Sequence, residues 1–406
     1  MKARVKRLAA FFAVLALMFA AAPPLQSSAQ TEITILKNHA VVDYPHVVTF
    51  SLELESLEKI TDIRLSYQVE RDSFADVVCE AVADYSSKTG SAQWIWDMYT
   101  TGNLPPGTAI KYWWQVTTQN GGTILTETRM VTFADERYQW QSISEGNLSL
   151  FWYRGDGSFA SELLGSAKAA LTQLETDTGA HLTRPVDIFI YGSSADLQGA
   201  MLYVQEWAGG LAFTGYGVVA IGIAPSDVEW GKRAMVHELA HLVTHQMTNN
   251  PYNSIPVWLN EGISMYAEGN LEEYSESYLR RAVLYDELIS VQSLASPFSA
   301  DAEKTYLSYA QSYSLVDYLV SAHGSLRMAD LLQVFSQGAD YDEAFLEVYG
   351  FNIDGLDDAW QAWAKEKYGV YSPQTMGFIP LYLGFLVLGL IVIAAVFVIQ
   401  KKRQPV

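Results

Sequence analysis

Ala234-Met235-Val236-His237-Glu238-Leu239-Ala240-His241-Leu242-Val243 is followed, 20 residues beyond His241, by Glu261 in Trp258-Leu259-Asn260-Glu261-Gly262. The apolar flanks of the first stretch read as one turn after another of a buried helix. On that helix His237 and His241 stand four residues apart and so one above the other on a single face. Imidazole suits Zn²⁺, and Glu261 supplies a third ligand, which leaves one tetrahedral position open. An open position is the mark of a catalytic rather than a structural zinc site. The expectation is one Zn²⁺ per chain, held by His237, His241 and Glu261. Glu238 is turned about 100° from His237, so it reaches a water on the metal rather than the metal itself. There it is placed as general base and then as general acid.

Neighbouring residues narrow the type of site. A third histidine six residues after His241, with glycine three after it, is excluded by Met247 and Thr244. A closed thiolate site is excluded because no cysteine is near. His245 lies eight residues from His237, about 12 Å along a helix, so it reads as a helix-face or supporting histidine. His323-Gly324 reads as a helix C-terminus with its glycine cap. Arg280-Arg281 and Glu272-Glu273 read as solvated faces.

The two ends carry signals of their own. Lys2, Arg4, Lys6 and Arg7 precede an apolar run from Leu8 to Ala22, and Ser27-Ser28-Ala29 follows, so residues 1–29 read as a secretory signal. Residues 377–399 hold no charge and would span about 34 Å as a helix, with Lys401, Lys402 and Arg403 directly after. This reads as a transmembrane helix with a cytoplasmic tail at 400–406. The expected location is a single-pass type I cell-membrane protein with its catalytic part outside the cytoplasm. Between the two ends, 19 Lys and Arg face 45 Asp and Glu. That surplus argues against nucleic acid or anionic lipid as partners. Cys79 is the only cysteine. With no disulfides, each domain is expected to stand on its own core.

Residues 30–136 show short alternating strands such as 47–54, 63–69, 110–117 and 126–133, punctuated by Pro105-Pro106-Gly107 and Asn120-Gly121-Gly122. Seven or so strands of this kind predict an all-β sandwich of immunoglobulin or fibronectin III type. Trp94, Trp96, Trp113 and Trp114 are assigned to its core and edges. Residues 137–370 predict an α+β catalytic domain with a helical C-terminal lobe. Its expected elements are strands at 148–153, 186–191 and 217–223, and helices at 158–178, 194–204 and 227–247, then helix almost throughout to 368.

His-Glu-Leu-Ala-His with Trp258-Leu-Asn-Glu-Gly-Ile-Ser-Met-Tyr266 resembles the gluzincin zinc metallopeptidases, and most of all their peptidase-MA-like group. The likeness is most specific over 237–268 and looser over 148–368. It implies His237, His241 and Glu261 as zinc ligands and Glu238 as the catalytic acid and base. It further implies a tyrosine on the 309–316 helix as donor to the oxyanion, with Tyr309 ahead of Tyr313. Thermolysin-like members carry an Asp four residues after the third ligand. Here that place is Met265, so Glu268 or a backbone carbonyl is expected to orient a zinc-bound histidine. The M1 aminopeptidases carry an acid in the strand before the motif. The stretch 209–223 has none, which disfavours a strict aminopeptidase and leaves its backbone to pair with an extended peptide. The resemblance thus implies a zinc peptidase with peptide or protein substrates, and together with the two chain ends the expectation is a membrane-anchored zinc endopeptidase. The alternative is a catalytically silent binding or envelope-assembly protein that uses the sandwich or the zinc domain to recognise a partner.

Overall fold

The computed structural model describes residues 33–101, 104–203 and 209–369. The expected signal (1–29), transmembrane helix (377–399) and tail (400–406) lie outside the described residues. Among the described residues, no helix is long and apolar enough to cross a membrane.

The N-terminal part is built on strict period-2 burial. β1 (Ile33–Asp43), β2 (Val47–Ser56), β6 (Ser91–Asp97) and β5 (Asp84–Ser86) form one antiparallel sheet in the order β1-β2-β6-β5. The second sheet runs β4 (Cys79–Val82), β3 (Ile60–Val69), β7 (Thr108–Thr118), β8 (Thr123–Leu125), with β9 (Arg129–Phe133) also on β7. Val48, Phe50 and Leu52 of β2 meet Ile63 and Leu65 of β3 and Ile110, Tyr112, Trp114 and Val116 of β7, all buried. The Trp114 indole N–H donates to Asn38 Oδ1 at 3.1 Å, joining the two sheets through the core. The sandwich therefore has nine strands among the described residues rather than about seven, because strands as short as β5 and β8 leave no pattern. The strand expected at 126–133 begins only at Arg129, as β9. Thr126 gives its hydroxyl oxygen to the Trp114 N–H at 2.9 Å while its own N–H reaches the Trp114 carbonyl, which separates β8 from β9.

Next comes a five-stranded sheet in the order β10 (Gln141–Glu145), β11 (Leu148–Trp152), β12 (Val186–Tyr191), β14 (Val218–Gly222), β13 (Gly210–Phe213). The three central strands are parallel and the two edges antiparallel. The apolar stretch read as one strand at 217–223 is thus the second arm of a hairpin. After the one-turn α1 (Met98–Thr101) in the sandwich, the helices are α2 (Gly157–Thr178), the short α3 (Ser194–Gln198) and the motif helix α4 (Val228–Thr248). α3 was expected to continue to 204 but ends at Gly199. Asp156 caps α2 by accepting the N–H groups of Ser158 and Phe159, and Gly179 ends it with φ +73°.

Alternation along this sheet decides how the parts join. Ile188 and Ile190 face α2 and α4, packing with Leu163, Met235 and Leu239. Phe189 and Tyr191, one residue out of phase, pack into the same buried cluster as Phe50, Trp114 and Phe133 of the sandwich. The expectation that each domain stands on its own core is therefore wrong. A sheet buried on both faces has to be covered twice, and the sandwich is its second cover. Polar contacts seal the joint: Arg137 clasps Asp135 with two N–H groups, and the Tyr191 hydroxyl donates to the same buried carboxylate.

The helical lobe comprises α5 (Val257–Ala267), α6 (Glu273–Tyr285), α7 (Val291–Leu294), α8 (Ala302–His323), α9 (Ser325–Ser336), α10 (Tyr341–Tyr349) and α11 (Ile353–Tyr368). Its core gathers Trp258, Leu259, Ile263, Leu315, Phe335, Phe345 and Trp360. α5 approaches α8 closely enough that a β-carbon on Gly262 would lie 2.4 Å from the Ser312 carbonyl oxygen. His323 sits in the last turn of α8 with Gly324 as cap.

Candidate active site

α4 is buried along Met235, Leu239, Leu242 and Val243, and this face fixes its rotation. The opposite side then presents His237, Glu238 and His241 to α5 and to the edge strand β13. The two imidazoles lie with ring centroids 4.9 Å apart and planes at 84°. α5 brings Glu261 Oε2 to 3.5 Å from His237 Nε2 and 3.7 Å from His241 Nε2. Ligands at about 2.0–2.2 Å from a tetrahedral Zn²⁺ stand about 3.4 Å from one another, so these three atoms fit a single ion. Two further observations support the fit. Glu261 Oε2 is buried without a hydrogen-bond partner. Each histidine also has its Nδ1 engaged elsewhere, His237 with Glu268 Oε1 at 2.7 Å and His241 with Ser264 Oγ at 3.0 Å, which turns both Nε2 atoms inward. Among the described residues these three are the cluster of His, Cys, Asp and Glu able to hold a metal.

The electrostatics agree. Burial opposes a charge on His237, but the Glu261 and Glu268 carboxylates outweigh it and push its pKa up to about 10. The same carboxylates that favour the positive charge on His237 favour a cation between the two imidazoles. Burial would raise Glu261, yet His237 and His241 hold it below the ordinary carboxylate range. Glu238 is raised, chiefly by burial, against the attraction of His241 and His237 and with Glu261 adding repulsion.

A cleft of about 880 Å³ opens over this centre, with Trp230, Arg233, His237, Glu238, Met265 and Tyr309 among its walls. Burial, then the charges of Glu261 and Glu238, raise the Tyr309 hydroxyl and keep it protonated. Tyr313 is elsewhere: it stacks on Tyr266 at 6.0 Å and lines a separate hollow with Gly269 and Asn270. Of the two candidates, Tyr309 lines the cleft over the centre and Tyr313 does not. Along the other wall, the Gly222 N–H donates to the Gly209 carbonyl at 3.0 Å. By antiparallel alternation, Gly210 and Ala212 then turn their backbone groups to the open edge of β13. His245 points away from the centre, its Nε2 lying 3.6 Å from Asp72 of the sandwich.

Glu268 is the expected supporting carboxylate, and Met265 only lines the cleft. Ser264 and Arg233 were not anticipated. Both stand at helical spacing from a ligand, three after Glu261 and four before His237, a signal shared by many residues with no such role.

Such a centre defines a hydrolase with a His-His-Glu zinc site. Residues 166–366, which include all of these side chains, match the model of the Peptidase MA superfamily, and the protein is a gluzincin-type zinc metallopeptidase. No curated protein matches the chain. Among solved structures, it is similar to an aminopeptidase N family protein from Idiomarina loihiensis, at 13% identity and a TM-score of 0.37, covering 78% of this chain and 74% of that one. A two-domain M1 zinc metallopeptidase mutant bound to L-arginine matches at 10% identity and a TM-score of 0.36, covering 79% and 90%. A family 56 carbohydrate-binding module, a β-1,3-glucan-binding domain, matches at 16% identity and a TM-score of 0.17, covering 25% and 98%.

Proposed function

We propose that this protein is a membrane-anchored endopeptidase whose active site works outside the cytoplasm on extended stretches of peptide or protein. His237, His241 and Glu261 hold the zinc ion. When bound, zinc supplies a Lewis acid that polarises the scissile carbonyl and acidifies water. The observation that carries the reading is the orphaned Glu261 Oε2 between two inward-facing Nε2 atoms, with Glu238 beside the open edge of β13.

The chain's own groups divide the work. The backbone groups of Gly210 and the Ala212 carbonyl, at the open edge of β13, take the substrate as an added strand, while the Ala212 N–H holds the Glu238 carboxylate against that edge. Glu238 accepts a proton at its carboxylate oxygen from the attacking water. The carboxylic acid so formed passes that proton to the departing amine nitrogen, and its raised pKa favours this half of the cycle. The Tyr309 hydroxyl donates to the carbonyl oxygen as charge builds there. No acid lies on β13 to hold a free amino terminus, which favours internal cleavage. The uncharged run at 377–399 and the signal-like residues 1–29 support the anchor and the location.

The test is cleavage of a peptide library by the full-length chain in detergent, with Glu238→Gln as the blank and products read by mass spectrometry. Internal bonds cut by the unsubstituted chain, and about 10²–10⁴-fold slower by the variant, are expected. Release of single terminal residues alone would overturn the endopeptidase reading.

A further inference from the structure

We propose that Arg233 is a positioning residue for the metal centre, acting through Glu268 on His237; this rests on His237, His241 and Glu261 being the metal ligands. Arg233 stands one turn before His237 on α4, and Glu268 closes the C-terminal end of α5. The Glu268 carboxylate joins them. Its Oε1 lies 2.7 Å from His237 Nδ1, and its Oε2 accepts the Arg233 Nη2–H at 3.1 Å. The other arm of the guanidinium, Nη1, donates to Glu272 at the start of α6. One arginine thereby ties three helices together at the point where His237 is oriented.

Geometry and charge both give the link a purpose. A carboxylate held at one oxygen can swing about its last bond. Held at both, it keeps the lone pair that receives the His237 Nδ1–H in one direction, and so aims Nε2 at Glu261. Glu268 is only 13% exposed, and it shares this part of the protein with the carboxylates of Glu238 and Glu261. Without the guanidinium, a nearly buried anion would lose its compensating charge. Rotation toward the open cleft, away from His237, would relieve it. His241 shows the contrast, since its Nδ1 meets the neutral hydroxyl of Ser264, which needs no counter-charge. Arginine suits the task better than lysine because its planar fork serves both carboxylates at once.

Zinc affinity is the readout, measured by chelator competition on the full-length chain in detergent, with circular dichroism to confirm folding. Arg233→Met and Glu268→Gln should each weaken zinc about tenfold or more, the usual effect of losing such a support. The double variant should lose little beyond the larger single effect, because both changes break the same link. Glu272→Gln should leave affinity within about twofold, and the Co²⁺-loaded absorption spectrum should shift in Arg233→Met but not in Glu272→Gln. A folded Arg233→Met with unchanged zinc affinity overturns the proposal, and so do losses that multiply in the double variant. Should Arg233→Met fail to fold, Arg233→Lys keeps the charge without the fork: a several-fold weakening supports the proposal and none overturns it. His241→Ala separates the two claims, since zinc binding that survives it refutes the ligand assignment itself.

Discussion

Glu238 stands directly against Gly210: a β-carbon built at Gly210 would lie 2.9 Å from both Cγ and Oε1 of Glu238. The Glu238 carboxylate and the backbone of the edge strand are therefore in contact only because residue 210 has no side chain. Gly210→Ala should push the Glu238 carboxylate off its line to the scissile bond. We expect a loss on the order of 10²-fold in kcat with zinc content unchanged, checked by steady-state kinetics and metal analysis of one preparation. Activity equal to that of the unsubstituted chain would show that Glu238 works from another position.

The hydroxyls of Tyr309 and Tyr313 have opposite surroundings despite sharing one helix. Tyr309→Phe should lower kcat by roughly 10²–10³-fold, with little change in zinc affinity, as the removal of an oxyanion donor does. Tyr313→Phe should leave kcat nearly untouched, because that hydroxyl lies with Tyr266 and Asp317 outside the cleft. Equal effects of the two substitutions would refute the assignment.

Gly262 follows the ligand Glu261 and faces the Ser312 carbonyl across α5 and α8. Backbone cannot move aside as a flexible side chain can, so Gly262→Ala should force the helices apart. The expected cost is about 1–3 kcal/mol of stability, read from denaturant midpoints, together with weaker zinc binding as Glu261 shifts.

Asp72 ties the sandwich to the catalytic part. It accepts from Arg184 at 2.6 Å and from Asn249 at 3.0 Å, and Arg184 holds its carboxyl below the ordinary value against the opposing effect of burial. A depressed folded pKa means stability that is present above the unfolded pKa and lost as pH falls through the folded one. Asp72→Asn should therefore lower the melting temperature modestly at neutral pH. The difference should shrink as pH falls through the depressed folded pKa and vanish below it, where both chains carry a neutral group. A difference that persisted there would point to lost hydrogen bonds rather than charge.

Much of the centre was legible before any coordinates. His237, His241 and Glu238 are related by the period of one helix, so local geometry put them in register, whereas Glu261 was expected from its spacing to the motif and meets them only through packing of a second helix. Sandwich strands such as β2 and β7 were legible for the same reason, since their burial alternates residue by residue. β5 and β10 were not, because three to five residues carry too little pattern, and the strand expected at 77–79 lies at 79–82 instead, as β4. The break at Thr126 escaped notice because it depends on a side chain meeting Trp114 across the ladder.

By itself, the sequence determined the pair of histidines on one helical face with Glu238 between them, the candidate third ligand Glu261 and the division into a β-rich and a helix-rich part. The helical pair and the division follow from chemistry and spacing within single elements. Only the tertiary structure decided that Tyr309 rather than Tyr313 lines the cleft over the centre, that Ser264 and Glu268 hold the two Nδ1 atoms, and that the sandwich shares its core with the catalytic sheet. A helical or strand period tells which residues share a face. Which neighbour that face meets depends on packing between segments far apart in the chain, and no local pattern records it.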